Sequence, residues 1–257
     1  MSEPYFLINS AVRTLNLLEY LSEKGEVSVS ECSNHFNINK STAHRFLASM
    51  KYVGFVDQNP ENQKYKLSLK VFEIGNKVIE DLNLREVAKP IMHELGDKTG
   101  ETINLGIIDN YDVVYIEKVL SKNTLRQDSP IGGRDPIHST AMGKAIIAFK
   151  PLEYVEEYIK TKGLTKVTEN TITNVEKFYT ELKSVREKGY TIDAEETVVG
   201  LSCIAAPIFN NENKIVASVS ISSPKQRLDK DIMNIYKEEV KDAARRISKQ
   251  LGARNII

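Results

Sequence analysis

The chain's 257 residues, at roughly 150 per domain, point to about two domains; 41% hydrophobic content supplies at least one sizeable core and excludes general disorder. Thirty-five basic and thirty-five acidic residues give a net charge of zero, which at first sight speaks against a nucleic-acid partner, although a whole-chain sum conceals any local patch. Two distant cysteines, Cys32 and Cys203, suit reduced thiols in a cytoplasmic protein, Met1–Ser10 lacks the pattern of a secretory leader, and no run approaches the ~18 apolar residues of a membrane span.

Ala11, Leu15, Leu18 and Leu21 recur at steps of four and three, one face of an amphipathic helix that begins near Ser10 and ends at Gly25. Ser28 and Glu31 have the spacing of a capping box and open a short second helix with Val29, Cys32 and Phe36 facing inward. Asn37 then tolerates the left-handed conformation of a tight turn. A third helix is expected from Lys40 to Tyr52, with Ala43, Phe46, Leu47 and Met50 inward and Ser41, Thr42, Arg45 and Ser49 on the opposite face. Phe55–Gln58, a turn at 59–62 and Lys64–Leu67 read as a hairpin, which makes the unit a winged helix-turn-helix. A plain three-helix bundle shares the helical periodicity, but the hairpin at this distance favours the winged unit.

That unit suits DNA. Short hydroxyls and Arg45 on the third helix can enter a major groove, and Lys64 and Lys66 stand where a wing meets phosphates. For Arg45 alone, a surface salt bridge is the competing reading. Residues 1–80 carry nine charges of each sign, yet Lys40–Lys70 holds six bases against Asp57 and Glu61, a net of +4. The positive charge is concentrated in the helix and wing proposed to meet DNA.

Leu69, Phe72, Ile74 and Val78 continue a helical pattern that Asp81-Leu-Asn interrupts, so a helical linker and a domain boundary near residue 80 are expected. A helix over Leu84–Lys98 follows, with Val87, Ile91 and Leu95 on one stripe. Ile103–Asp109 and Val113–Val119 form a hairpin signal, and Pro130–Gly133 a turn. Thr140 offers a hydroxyl cap to a helix over Ala141–Phe149. Helices are expected at Val155–Ile159 and Val175–Lys188, then strands at Tyr190–Ala194, Cys203–Phe209 and Ile215–Ile221. A closing helix spans Asp229–Leu251, its stripe including Ile232, Ile235, Val240, Ala243 and Ile247. Without strict βαβ alternation, the class is α+β with an antiparallel sheet.

Within the last strand Ala217, Val219 and Ile221 point one way and Ser218, Ser220 and Ser222 the other. Solvated strand faces usually carry long or charged side chains; three serines instead make a shallow, hydroxyl-lined floor for a small polar ligand. The helix start at Thr140 adds backbone N–H groups suited to a carboxylate.

Six motifs in register then resemble one family. They are the Arg13-Thr-Leu helix, Asn39-Lys-Ser-Thr-Ala-His-Arg-Phe-Leu, Lys64-Tyr-Lys-Leu, His138-Ser-Thr-Ala-Met-Gly-Lys-Ala, Gly200-Leu-Ser-Cys-Ile-Ala-Ala-Pro-Ile-Phe and Val219-Ser-Ile-Ser. Together, over residues 8–252, they resemble the IclR family of bacterial transcriptional regulators. The resemblance implies a winged helix-turn-helix (8–68), a linker helix (69–82) and a GAF-like effector domain (83–252). It also implies homodimers, often dimers of dimers, on palindromic operator DNA. DNA contacts carry over to Ser41, Thr42, Arg45 and Lys64, with Arg13 on a phosphate; Lys40, His44, Ser49 and Lys66 complete the proposed face. The small-acid pocket carries over to Ala141, Met142, Asp193, Leu201, Cys203, Ser220 and Ser222, with Leu125 beside it. Members that bind very small keto acids have Gly-Ala where this chain has Ala141-Met142, which leaves the pocket size open. Residues 125–140, with Phe72-Glu-Ile-Gly, are most similar to the branch regulating 2-keto-3-deoxygluconate catabolism.

The expectation is therefore a ligand-responsive DNA-binding regulator, a repressor rather than an activator, sensing a sugar acid or keto acid, with no enzymatic activity, cofactor, metal or membrane partner. Ligand binding is expected to act through the linker helix on the spacing of two DNA heads. The rival is a Cys-dependent hydrolase using Cys203, His138 and Asp193, with the N-terminal domain only dimerising; no local nucleophile signature supports it. Cys32-x-x-His35 has metal-ligand spacing but places Cys32 on an apolar helix face, and Gly143-Lys144 lacks the upstream glycines of a phosphate loop.

Overall fold

The computed structural model describes residues 7–80, 84–124 and 129–254, and the chain divides into two compact units between residues 81 and 82. In the first, α1 (Asn9–Lys24) precedes a two-residue strand β1 (Glu26–Val27), α2 (Val29–His35), α3 (Lys40–Tyr52), β2 (Val56–Gln58), β3 (Tyr65–Leu67) and α4 (Leu69–Glu80). The caps lie where the residue types demand them. Ser28 Oγ accepts from Glu31 N at 3.2 Å while Ser28 N donates to the Glu31 carboxylate at 2.6 Å, a complete capping box. Asn37 takes φ +48°, and Asn39 Oδ1 caps α3 by accepting from Thr42 N at 2.8 Å. The antiparallel sheet runs β1-β3-β2, pairing Asp57 with Lys66.

The core of this unit joins Leu17, Leu21, Cys32, Ala43, Leu47, Met50, Val56 and Tyr65. The inward face of α1 differs from the expected one. Leu17 and Leu21 are buried and Leu18 packs against them, whereas Ala11 and Leu15 are exposed, Leu15 by 60%. The α1 residues that enter or pack on this core, Leu17, Leu18, Tyr20 and Leu21, all lie in the C-terminal half of the helix. β1, absent from the sequence reading, is too short to show any periodicity.

The second unit comprises α5 (Leu84–Thr99), β4 (Thr102–Asp109), β5 (Asp112–Val119), β6 (Arg134–Pro136), α6 (Ala141–Ile147), α7 (Leu152–Lys162), α8 (Val175–Lys188), β7 (Thr191–Ala194), β8 (Leu201–Phe209), β9 (Ile215–Pro224), a 3-10 turn (Lys225–Arg227) and α9 (Lys230–Gln250). Six strands pair antiparallel in the order β6-β5-β4-β9-β8-β7. Helices α5 and α9 cover one face, burying Ile91, Leu95, Val240, Ala243 and Ile247 on Ile103, Ile204, Ala217, Val219 and Ile221. Helices α6, α7 and α8 build the core on the other.

Four features differ from expectation here. Ile235 is 57% exposed rather than part of the buried stripe, because Tyr236 takes the inward position on that turn of α9. Helix α6 ends two residues before Phe149, and α7 extends on both sides of its expected span. Strand β6 has no counterpart in the sequence pattern, because it is three residues long and its Pro136 reads as a breaker.

Candidate functional site

The serines of β9 lie on the α6 side of the sheet, opposite Ala217, Val219 and Ile221, and all three are buried. Ser218 Oγ donates to the Met142 carbonyl at 3.1 Å and ties the first turn of α6 to the sheet. Antiparallel register places Cys203 of β8 between Asp193 of β7 and Ser222 of β9. Burial pushes the Cys203 thiol far up, so it stays protonated and donates to Ser222 Oγ at 3.2 Å. Asn104 Nδ2 on β4 donates to the same oxygen at 3.1 Å. With both lone pairs engaged, the Ser222 hydroxyl can act toward the cavity only as a donor.

Across the site, Asp193 Oδ1 accepts from Glu196 N at 2.6 Å and Thr197 N at 3.3 Å. Burial raises the Asp193 pKa, and these bonds together with Lys144 offset only part of the rise. Lys144 is itself fully buried: its Nζ donates to the Ile192 carbonyl at 2.8 Å, pairs closely with Glu196 and lies 3.8 Å from Glu181. Gly143 explains how α6 comes so near: a Cβ there would stand 2.3 Å from the Ile137 carbonyl oxygen.

Between these groups lies a cavity of about 10 Å³, room for about one water. Of the residues expected to line it, Ala141, Met142, Asp193, Cys203, Ser220 and Ser222 do so. Leu201 does not line it, although it is buried in the same apolar cluster as Ala141, Met142 and Cys203, and Leu125 lies outside the described residues. Tyr115, Thr140 and Thr197 also line the cavity. Strand periodicity puts Tyr115 on the same inward face as Val113, the capping position of Thr140 gives no sign of a second role, and Thr197 sits in a loop with no periodic signal. The Tyr115 hydroxyl donates to Asp135 at 2.7 Å, and Thr140 Oγ1 accepts from Gly143 N at 3.1 Å.

Cys203, His138 and Asp193 do not form a catalytic set. Asp193 and Cys203 are cross-strand neighbours, but both ring nitrogens of His138 are engaged elsewhere, Nδ1 with the Tyr158 hydroxyl at 2.7 Å and Nε2 with the Thr165 carbonyl at 2.8 Å. Accepting at Nδ1 and donating at Nε2 makes the ring a neutral structural link, and burial lowers its pKa. Cys32 is buried in the first unit's core, and His35 stacks on Tyr20 with ring centroids 4.0 Å apart.

In the first unit, Lys40, Ser41, His44, Arg45 and Ser49 form the exposed side of α3, with Thr42 half-buried beside its cap. Two hydroxyls bond within the helix end: Ser41 Oγ donates to Asn39 Oδ1 and Ser49 Oγ to the Arg45 carbonyl. Lys66 and Arg13 are exposed; Lys64 pairs with Glu31 at 3.5 Å.

Residues 10–60 match the IclR helix-turn-helix domain, and residues 76–249 match the C-terminal domain of bacterial transcriptional regulators of the IclR type. The chain is 39% identical to the HTH-type transcriptional regulator KdgR of Dickeya chrysanthemi, over 95% of this chain and 80% of that protein. It is 32% identical to the transcriptional repressor IclR of Escherichia coli, over 95% and 90% respectively. The crystal structure of the Thermotoga maritima IclR superposes with a TM-score of 0.84 at 33% identity, covering 96% of this chain and all of that one.

Proposed function

The chain belongs to the IclR family of bacterial transcriptional regulators, and from that membership we propose that it is a cytoplasmic repressor of the KdgR-like branch whose second unit binds a sugar acid or keto acid. The observation that carries the ligand class is the polarity of the buried cavity: hydroxyl donors at Ser220 and Ser222 stand across from the Asp193 carboxylate. A ligand carboxylate suits the serines and the first-turn amides at Ala141 and Met142. A ligand hydroxyl suits Asp193, because two unpaired anions in contact repel. A 2-keto-3-deoxy sugar acid offers both groups.

Operator DNA would meet Arg45, with Lys40, Ser41, Thr42, His44 and Ser49 around it, and the wing lysines Lys64 and Lys66 and Arg13 on phosphates. The protein acts as a homodimer or dimer of dimers, a reading supported by exposed apolar residues at the start of α1 (Ile8 at its cap, Val12, Leu15) and on α4 (Leu69, Phe72, Ile74). Sedimentation of a Leu15→Arg variant as a monomer supports that assembly; an unchanged mass removes α1 from it.

Titration calorimetry with 2-keto-3-deoxygluconate, gluconate and pyruvate tests the ligand class. We expect binding of at least one acid, lost by about tenfold or more in the Ser220→Ala, Ser222→Ala double variant, as removal of hydrogen bonds to a charged group requires. Undiminished binding by that variant places the pocket elsewhere. Arg45→Ala should lower operator affinity at matched salt, and an unchanged affinity rules out the α3 assignment.

A further inference from the structure

We propose that Met142, seated against Gly106, sets the size of the acid that the cavity admits, an inference that rests on the effector reading above. Met142 lines the cavity and is buried. Its side chain has a seat because position 106 on β4 lacks one: a Cβ there would stand 3.0 Å from Met142 Sδ, 3.2 Å from its Cε and 3.2 Å from Val113 Cγ1. Gly106 also falls where the β4–β5 register shifts, so the strand is locally irregular beneath the thioether.

The backbone of Met142 has no room to retreat. The next residue, Gly143, lies so close to the Ile137 backbone that a Cβ would meet its carbonyl oxygen at 2.3 Å, and the Met142 carbonyl accepts from Ser218. The other lining groups are short or tied. Ser222 is held by Cys203 and Asn104, Asp193 by two backbone amides, and Tyr115 by Asp135. The free space is about 10 Å³, enough for about one water and below the volume of a three-carbon acid as well as a six-carbon one, so a side chain has to move for either and farther for the longer. Met142 is the long, unbranched lining side chain; such a thioether changes rotamer at little cost and fills irregular gaps. A longer acid is accommodated by how far that thioether swings, so position 142, with position 106 opposing it, reads chain length, while the serines and Asp193 read polarity.

The full-length protein, with Met142→Ala, Met142→Leu and Gly106→Ala variants, is titrated calorimetrically with pyruvate, glycerate, gluconate and 2-keto-3-deoxygluconate. Met142→Ala should raise the preference for six-carbon over three-carbon acids by about tenfold or more, the scale of discrimination that a methylene or two confers. Gly106→Ala, whose methyl drives the thioether into the cavity, should shift that ratio the other way. The Gly106→Ala, Met142→Ala double variant should return toward the wild-type ratio, because the added methyl no longer meets the thioether. Met142→Leu keeps the bulk with fewer rotatable bonds and should weaken the six-carbon acids selectively; it carries the test if Gly106→Ala does not fold. The Ser220→Ala, Ser222→Ala variant separates the two readings. If it abolishes binding while the Met142 and Gly106 variants leave the chain-length ratio unmoved, the pocket stands and the size role falls. If it binds the acids as well as wild type, or wild type binds none of them, the effector reading falls and this inference with it.

Discussion

Asp193 and Lys144 show what the site costs at the scale of single residues. The raised pKa of Asp193 means that its charged form is disfavoured by burial in the folded state. Its contribution to stability is therefore present below the ordinary carboxylate pKa and is lost as pH rises through the higher folded value. Asp193→Asn keeps an oxygen for the Glu196 and Thr197 amides and removes the charge. We expect the variant to unfold at higher urea than wild type at neutral pH, with the advantage vanishing below pH ~4, and to lose ligand response. Equal stability at neutral pH would mean that the carboxylate is not penalised there.

Lys144 is the opposite case, a buried cation whose removal leaves Glu196 an uncompensated buried acid with Asp193 and Glu181 nearby. Lys144→Met should cost about 3–5 kcal/mol, and adding Glu196→Leu should recover most of it. Urea denaturation of the single and double variants checks this, and a double variant as unstable as the single one would show that the ion pair is not the reason for the loss. The sequence places Lys144 in an apolar run of α6 and gives no sign of its partners, because Glu181 and Glu196 reach it only through the packing of α8 and the β7–β8 loop.

Elements reveal where a linear pattern carries structural information and where it does not. The capping box at Ser28–Glu31, the Asn39 cap and the serine alternation of β9 were legible because each is a local stereochemical demand satisfied within a few residues. The inward face of α1 was not, since its apolar residues outnumber the positions that so small a core covers. Nor was β6, which exists only by pairing with β5. The site followed the same division: Ser220 and Ser222 follow from the alternation of one strand, Asp193 came only with the family resemblance, and Thr197 depends on the course of a loop.

The wing offers a test at this scale. Lys64, proposed to touch phosphate, is held by Glu31, which also closes the α2 capping box. Glu31→Gln keeps the box, since glutamine serves there, and removes the competing charge. If Lys64 reaches one phosphate, the variant should steepen the dependence of log K on log salt by up to about 0.9. An unchanged slope in gel-shift or anisotropy titrations across salt would show that Glu31 does not compete with phosphate for Lys64, and a slope that Lys64→Ala also leaves unchanged would show that Lys64 stays off the DNA.

For the molecule as a whole, zero net charge becomes informative once it is divided. The +4 between Lys40 and Lys70 lies on α3, the wing and the start of α4, and the rest of the chain offsets it. A globally neutral protein gains little from indiscriminate attraction to DNA, so operator affinity has to come from placed contacts, and a ligand that disturbs those contacts changes occupancy sharply. On the proposed reading, regulation is a coupling free energy between a cavity in one unit and a DNA face in the other. A ligand that binds the DNA-competent and DNA-incompetent states equally shifts nothing, however tightly it binds. Coupling must also be reciprocal: whatever factor the acid imposes on operator affinity, the operator imposes on acid affinity, with typical factors of about 5–150. The acid's Kd, measured by calorimetry with and without saturating operator duplex, should therefore change by the same factor as the operator's Kd measured with and without saturating acid. For a repressor released by its ligand, both should weaken. Loss of that coupling in the Ser220→Ala, Ser222→Ala variant would identify the cavity as the regulatory site; an acid that binds the cavity with the same affinity whether or not operator is present would make the cavity irrelevant to DNA release.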